Sequence, residues 1–428
     1  MSAQYINYDI KQINTYHLRE VELLRKLAYQ LSSIATSERN IANRKRWKNV
    51  NDRISERPVA MCNTLPWNEL NVNDELTLQC DNKFMQNIEQ DMRRQIYLHQ
   101  HMPLDIVIEP YFKCKAIIEE NGYGIEIDEY TIKTDTTSAV SAHQYNSVIN
   151  SIEDIEKLRP TIVTFDEKAT LEVLDITKYI FDGIMDVKLE CIPEHIKPHA
   201  PWDYLVQLMG AENLFINLYD QPDLMLMLAK RYSEVTLDRM NQYEQLGVLS
   251  QNIDNTFVGA GGYGYTNEIT EVDNVKTLNM WGASAAQIFT SISSWMFEEF
   301  AIDCELDWLN RFALTYYGCC ESLSEKIPIL KKIKNLRKIS VSAWADPNRA
   351  AEQIGKDYVY SYKPDPALLA TETLDEDEVK KQIQIAVDAT RKFGCSMEIL
   401  LKTLTTVSYN PQKLWRWAKI TQQIIESV

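Results

Sequence analysis

The chain has 428 residues, 45% of them hydrophobic, so it can bury a large core. Its 61 acidic against 45 basic residues leave a net charge of −16, which repels polyanions at long range and argues against nucleic acid as a ligand. Eight cysteines, at positions 62, 80, 114, 191, 304, 319, 320 and 395, are too sparse for a disulfide framework. The opening MSAQYINYDIKQ carries no apolar leader and no stretch is apolar enough to span a membrane, so a cytoplasmic protein with reduced thiols is expected.

In chain order, 9–33 and 38–54 read as helices: Leu24, Leu27, Ala28 and Leu31 repeat at helical spacing, and the second segment is basic through Arg39, Arg44, Lys45, Arg46 and Lys48. They predict an N-terminal helical extension, 1–54, in front of a single unit over 55–428. Eight runs rich in β-branched and aromatic residues follow, near 57–62, 104–109, 183–191, 247–253, 311–317, 336–342, 357–362 and 395–401. Helical patterns at 220–246, 275–301, 324–333, 347–355 and 374–393 are long enough for right-handed crossovers. The alternation predicts an α/β fold, a (β/α)8 TIM barrel, with a doubly wound open sheet as the alternative that periodicity leaves open. Residues 110–182 exceed one βα unit and read as an insertion after strand 2. It holds a strand pair in GIEIDEYTI (124–132), and an acidic, Thr-rich loop (Asp128, Glu129, Thr134, Asp135, Thr136, Thr137) is expected over the barrel mouth.

Barrels carry their chemistry at the C-terminal strand ends. Those positions hold Glu109, Glu190, Asn252, Asp254, Tyr317, Cys319, Cys320, Glu321, Trp344, Asp346, Lys363, Glu398 and Lys402. In TYYGCCES (315–322), thiolate beside carboxylate suits zinc, with Cys319, Cys320 and Glu321 as candidate ligands; the opposing reading is two small buried cysteines packed as hydrophobes. GAGGYG (259–264) has G-x-G-x-x-G spacing, yet the following YTNEITEVDN is polar, which predicts a loop of close backbone approach rather than a dinucleotide site. SYKPDPALL (361–369) starts a helix with Asp365 as N-cap and Pro366 first inside, leaving Lys363 at a strand end; Lys402 has the same standing. His195 and His199, flanking Pro198, read either as acid-base or metal groups or as ordinary loop residues, and Trp415 and Trp417 read as packing anchors.

Three stretches, APWDYLVQLMGAENLFINLYDQPDLM, YGCCESLSEKIPILKKIKNLRKISVSAWADPNRAAEQIGKDYVYSYKPDPALLA and VSYNPQKLWRWAKI, resemble the uroporphyrinogen-decarboxylase superfamily in its corrinoid-dependent methyltransferase branch of anaerobic bacteria, over roughly 55–425. The resemblance implies a barrel with its pocket at the C-terminal strand ends. RPVAMCNTLPWNEL (57–70) stands where the decarboxylases carry an arginine-rich motif, which disfavours tetrapyrrole decarboxylation. Tyr317-Gly318-Cys319 stands where the methyltransferases carry H-x-C, and strand eight offers Glu398 instead of a cysteine. A zinc with cysteine and glutamate ligands is a harder Lewis acid, suited to ether or carboxylate oxygen.

The resemblance therefore implies transfer of a methyl group from a small O-methyl or N-methyl substrate to a corrinoid protein supplied in trans, since no D-x-H-x-x-G motif is present. Tyr317, Glu321, Lys402 and Glu398 are the expected catalytic residues, and Glu109, Asn252, Trp344 and Lys363 the expected substrate contacts. A decarboxylase or lyase on a small carboxylic acid, clamped by Lys363 and Lys402, is the alternative; a non-catalytic ligand-binding barrel is a third reading. Family analogy adds a homodimer.

Overall fold

The computed structural model describes residues 18–132, 142–193 and 199–428. Six strands form one parallel sheet: β1 (Val59–Cys62), β8 (Trp281–Ser284), β9 (Leu314–Tyr317), β10 (Leu336–Ser342), β11 (Val359–Lys363) and β12 (Ser396–Leu401). Their order is β1-β12-β11-β10-β9-β8, so consecutive strands are neighbours and the last of them returns to pair with the first. Residues of β9 to β12 are buried on both faces, as parallel strands covered by helices must be. On the outer face Tyr317, Ile339, Val341, Tyr360, Ile399 and Leu401 join the main apolar core. The inner face is polar: Lys338, Ser340, Ser361, Lys363 and Glu398 are all buried there.

Crossovers come from α-helices whose ends are specified locally. Helix α7 (Pro347–Ile354) is capped by Asp346, whose carboxylate accepts from Arg349 N, and α8 (Glu376–Phe393) is capped by Asp375 and ended by Gly394 in the left-handed region. Asp346, expected as a strand-end group, is thus a helix cap. The final α9 (Pro411–Glu426) packs on α8 and β1, with Trp417 buried and Trp415 donating to Tyr97 OH at 3.0 Å.

The expected helix at 275–301 is overturned over most of its length. Trp281–Ser284 is instead β8, in register with β9 from Trp281↔Leu314 to Ser284↔Tyr317, and continuous helix begins only at Ser294, running to Leu309 through a π-helical stretch at Phe297–Ile302. Alanine favours helix, but pairing decides: Gly282 lies against the Phe312 ring so closely that no Cβ fits. Nor do the expected strands at 104–109 and 247–253 enter a ladder. The first runs beside β1, where Asp105 N donates to Ala60 O at 2.9 Å and the Asp105 carboxylate accepts from Ala60 N at 3.1 Å. In the second, Ser250 N donates to Cys191 O at 2.9 Å, and the Asn252 side chain brackets Trp281, donating to its carbonyl at 3.0 Å and accepting from its amide at 2.8 Å. In both places a side chain takes the part of a backbone partner.

Three two-stranded sheets stand apart from the six-stranded one among the described residues, two of them wholly within the expected insertion. β2 (Tyr111–Lys115) pairs in parallel with β7 (Asp186–Glu190), β3 (Ile118–Glu120) is antiparallel to β6 (Val163–Phe165), and β4 (Glu129–Ile132) is antiparallel to β5 (Ala142–Tyr145). In place of the strand pair expected within 124–132 there is one strand, Glu129–Ile132, whose partner lies at 142–145, and Thr134 to Thr137 lie outside the described residues. Helix α1 (Leu18–Ala35) packs on α3 (Lys83–His101) and α4 (Glu167–Phe181).

Helix α2 (Glu38–Asn51), capped by Ser37, covers the starting ends of the strands. Trp47 on it is fully buried and donates to Asp105 O at 2.6 Å, Asn51 donates to Tyr263 O and Tyr265 O at 2.8 and 2.7 Å, and Arg337 at the start of β10 donates to Asn51 O at 2.7 Å. Among the described residues no helix is long and apolar enough to cross a membrane.

Candidate functional site

A cavity of about 630 Å³ opens at the carboxyl ends of the sheet strands, within the range of small-molecule sites. Asn63 and Thr64 after β1, Ser284 ending β8, Gly318 and Cys319 after β9 and Lys402 after β12 line it from the sheet. Asp203 on α5 (Pro201–Met209), Arg239 on α6 (Pro222–Leu246) and Tyr123 of the insertion line the opposite wall. Arg239 is fixed by Glu120 and by a 2.8 Å bond to Tyr123 OH.

The floor is the GAGGYG loop. It contains a turn, with Gly261 N donating to Val258 O at 2.8 Å, and no helix follows. A Cβ on Gly259 would lie 2.6 Å from the Tyr316 ring, and one on Gly261 would lie 2.8 Å from a Glu398 oxygen. The glycines thus serve the close backbone approach expected of them, but toward Tyr316 and Glu398 beneath the cavity.

The reactive edge follows β9. Cys319 and Cys320 place their sulfurs 3.7 Å apart, and Lys402 Nζ lies 3.4 Å from the Cys319 sulfur. The hydrogen bond between the thiols, working against burial and helped by the charges of Lys402 and Lys363, lowers the first proton loss of the pair below that of an ordinary thiol. Lysine touches one sulfur while either sulfur can donate, so the resulting thiolate belongs to the pair. Glu321 turns away from the cavity: its oxygens accept from Cys319 N at 2.8 Å and Ala286 N at 3.4 Å, and burial followed by Cys319 raises it to about 7.

That donor set does not fit the expected zinc. The Glu321 oxygens are occupied by backbone amides, and a lysine stands against Cys319. No group of three or more His, Cys, Asp or Glu side chains among the described residues is arranged to hold a metal ion.

Behind the cavity wall lies a second group that strand-end reasoning missed. Ser284 donates through a short hydrogen bond to Glu305, whose other oxygen is buried without a partner. Burial, with Asp203 and Glu321 nearby, raises Glu305 to about 8, so it keeps its proton at neutral pH. Asp203, raised by burial, accepts from Ile288 N at 2.9 Å. The signal was present in APWDYL and WGASAA, but Glu305 belongs to a helical turn distant in sequence, so nothing in the local pattern joined it to Ser284.

The remaining expected residues scatter. Tyr317 faces the helices, edge-on to Phe297, with its hydroxyl buried and unpartnered. Glu398 lies deep in the inner face, paired with Lys338 at 2.9 Å and accepting from Ser361 at 2.6 Å and Gly262 N at 3.2 Å. Glu109 binds Arg44 at 3.0 Å and Tyr265, beside a separate cavity that Glu190 also lines. Asp254 accepts from Tyr111 OH and pairs with Lys113. Asn252 spends its amide on β8, and Trp344, 73% exposed, stands after β10. His199 does line the cavity, stacked on Trp308 at 3.8 Å, and burial then Arg239 lower it to about 3, so it stays neutral; His195 lies outside the described residues.

No family model matches the chain, and no curated protein matches it. Among solved structures, a methyltransferase from Methanosarcina mazei superposes with a TM-score of 0.49 and 10% identity, covering 90% of this chain and 98% of that one.

Proposed function

We propose that the strands close into the eight-stranded barrel predicted from sequence, and that the cavity at its rim releases a methyl group from a small O-methyl or N-methyl compound to a corrinoid protein supplied in trans. Strand order supports closure: β8 to β12 return to β1 without the reversal that a doubly wound sheet requires. The strands β1, β2, β7 and β8 to β12 make up the eight, and the irregular segments, 104–109 bonded to β1 and 248–253 bonded to Cys191 and Trp281, lie beside them without being counted as strands.

The observation that carries methyl transfer is a protonated acid, Glu305, bonded to a hydroxyl, Ser284, that opens into a cavity edged by Lys402 and Arg239. When the bond from methyl carbon to oxygen or nitrogen breaks, the electron pair stays on the departing atom, which must then gain a proton. For the transfer the Ser284–Glu305 hydrogen bond reverses: the protonated Glu305 donates to the Ser284 oxygen, Ser284 turns its own proton into the cavity and gives it to that atom while taking the one from Glu305, and Lys402 and Arg239 stabilise the developing negative charge. Glu305 is left as a buried carboxylate that recovers a proton from solvent. A corrinoid on the partner would supply the cobalt that accepts the methyl group, and the cavity is open to solvent on the side from which it would come.

The test is anaerobic mixing of the protein with a Co(I) corrinoid protein and a panel of small O-methyl and N-methyl compounds, following the cobalt absorption. A donor-dependent change that Glu305→Gln slows about 100-fold or more supports the reading. No change with any donor overturns it. A lyase or decarboxylase is the second reading, favoured by Lys363 and Lys402, which have no carboxylate within ion-pair distance among the described residues.

A further inference from the structure

Methyl release draws on Ser284, Glu305, Lys402 and Arg239, and leaves the Cys319–Cys320 pair without a part. The two sulfurs lie 3.7 Å apart, Cys319 lines the 630 Å³ cavity, and both residues are only partly buried. The backbone that carries them is pinned at three points: Gly318 N donates to Ser284 O at 2.8 Å, Cys319 N to Glu321 at 2.8 Å, and Ser340 Oγ to Cys319 O at 2.6 Å. The turn opens on Gly318 at φ +102°, where a Cβ would fall 2.6 Å from Leu323. A fixed loop thus presents both thiols together. They also stay thiols, because consecutive Cα atoms are about 3.8 Å apart, inside the lower limit of about 4.4 Å for an unstrained disulfide. Among the described residues no other two cysteine sulfurs are in contact.

We infer that Cys319 and Cys320 form a chelating site for a trivalent organoarsenical, a centre that carries one carbon substituent and two exchangeable oxygens. Ligand number and bite decide against other soft centres. Zinc wants four ligands, and no third carboxylate, imidazole or thiolate joins these two among the described residues. A linear two-coordinate ion with bonds of about 2.3 Å holds its sulfurs about 4.6 Å apart, too wide for this pair. Trivalent arsenic keeps a lone pair and is pyramidal; an angle of about 100° with the same bond length brings the sulfurs to about 3.5 Å, close to the 3.7 Å observed. In the reaction each sulfur bonds to arsenic and each thiol proton leaves on a departing oxygen. Two As–S bonds replace two As–O bonds, two waters are released, and arsenic stays trivalent, so nothing is oxidised or reduced. Lys402, 3.4 Å from the Cys319 sulfur, supports the thiolate that attacks first. The cavity that Cys319 lines also carries Tyr123, Tyr204 and Tyr232, packed with ring centroids 5.2 to 5.8 Å apart, an apolar wall that suits an aryl substituent. The inference is independent of methyl transfer and shares with it only the cavity.

The test incubates the full chain with phenylarsine oxide, with neither corrinoid nor methyl donor present, and reads the intact mass and a peptide map. One adduct per chain is expected, bridging Cys319 and Cys320, released by 2,3-dimercaptopropanol and not by the same concentration of 2-mercaptoethanol. Because the second bond closes within the protein, Cys319→Ser and Cys320→Ser should each weaken binding about 100-fold or more. The other two partly buried cysteines serve as controls, and Cys304→Ser and Cys395→Ser should leave binding unchanged. The wild-type map places the adduct by itself, so the result does not depend on the folding of any variant. No adduct, an adduct on another cysteine, or binding undiminished in both Cys319→Ser and Cys320→Ser overturns the assignment whatever the outcome of the methyl-transfer assay.

Discussion

Glu305 has a measurable consequence away from catalysis. Its folded value, about 8, lies above that of an exposed carboxyl, so the native state keeps a proton that the unfolded chain has lost. The associated stability is full below about pH 4.3 and is lost as pH rises through about 8. Glu305→Gln should match wild type near pH 4 and exceed it at pH 9 by on the order of a few kcal/mol in urea unfolding; equal stability at both pH values would show an exposed carboxyl. The thiol pair predicts the opposite sense. Iodoacetamide alkylation of Cys319 and Cys320 should level off at a lower pH than that of an ordinary thiol, which keeps gaining rate to about pH 8.5. Lys402→Met should move that midpoint upward, and an unchanged profile would remove the lysine from the thiolate's support. Cys319, Lys363 and Lys402 were legible in sequence because each ends a recognisable strand. Ser284, Glu305, Asp203 and Arg239 were not, because their proximity is created by packing between elements far apart along the chain.

Elements were legible where composition and burial agreed. LTYY, LRKISVS, VYSYK and SMEILL are β-branched or aromatic runs bounded by turns, and all four are strands. WGAS was hidden because its small residues are chosen by the Phe312 ring above them, a long-range cause with no local pattern. Segments 104–109 and 247–253 were read as strands from their apolar content, yet their partners are side chains. Asn252 is the clearest case, and Asn252→Ala should cost about 2 kcal/mol by chemical denaturation, since it leaves the Trp281 amide and carbonyl unpaired in a buried place. A neutral effect would return Asn252 to the role of substrate contact. Gly261→Ala should cost about 1–3 kcal/mol, because its Cβ would fall 2.7 Å from the Tyr316 ring.

The molecule as a whole is closed by α2 at the strand starts and opened at the strand ends, and a 630 Å³ cavity forms where the strand-end residues meet the insertion. The resemblance adds a homodimer, and light scattering at micromolar concentration should give twice the 49.7 kDa chain mass; a monomeric mass refutes it. The central claim is that a methyl group leaves a small molecule in this cavity and reaches a partner's corrinoid. Its most direct measurement is the fate of a deuterated methyl group, followed by mass spectrometry after anaerobic incubation of donor, protein and Co(I) corrinoid protein. The account predicts label on the corrinoid with at least one O-methyl or N-methyl donor, at a rate strongly reduced by Glu305→Gln. Label that never leaves any donor, or that leaves as fast with Glu305→Gln as with wild type, would contradict it.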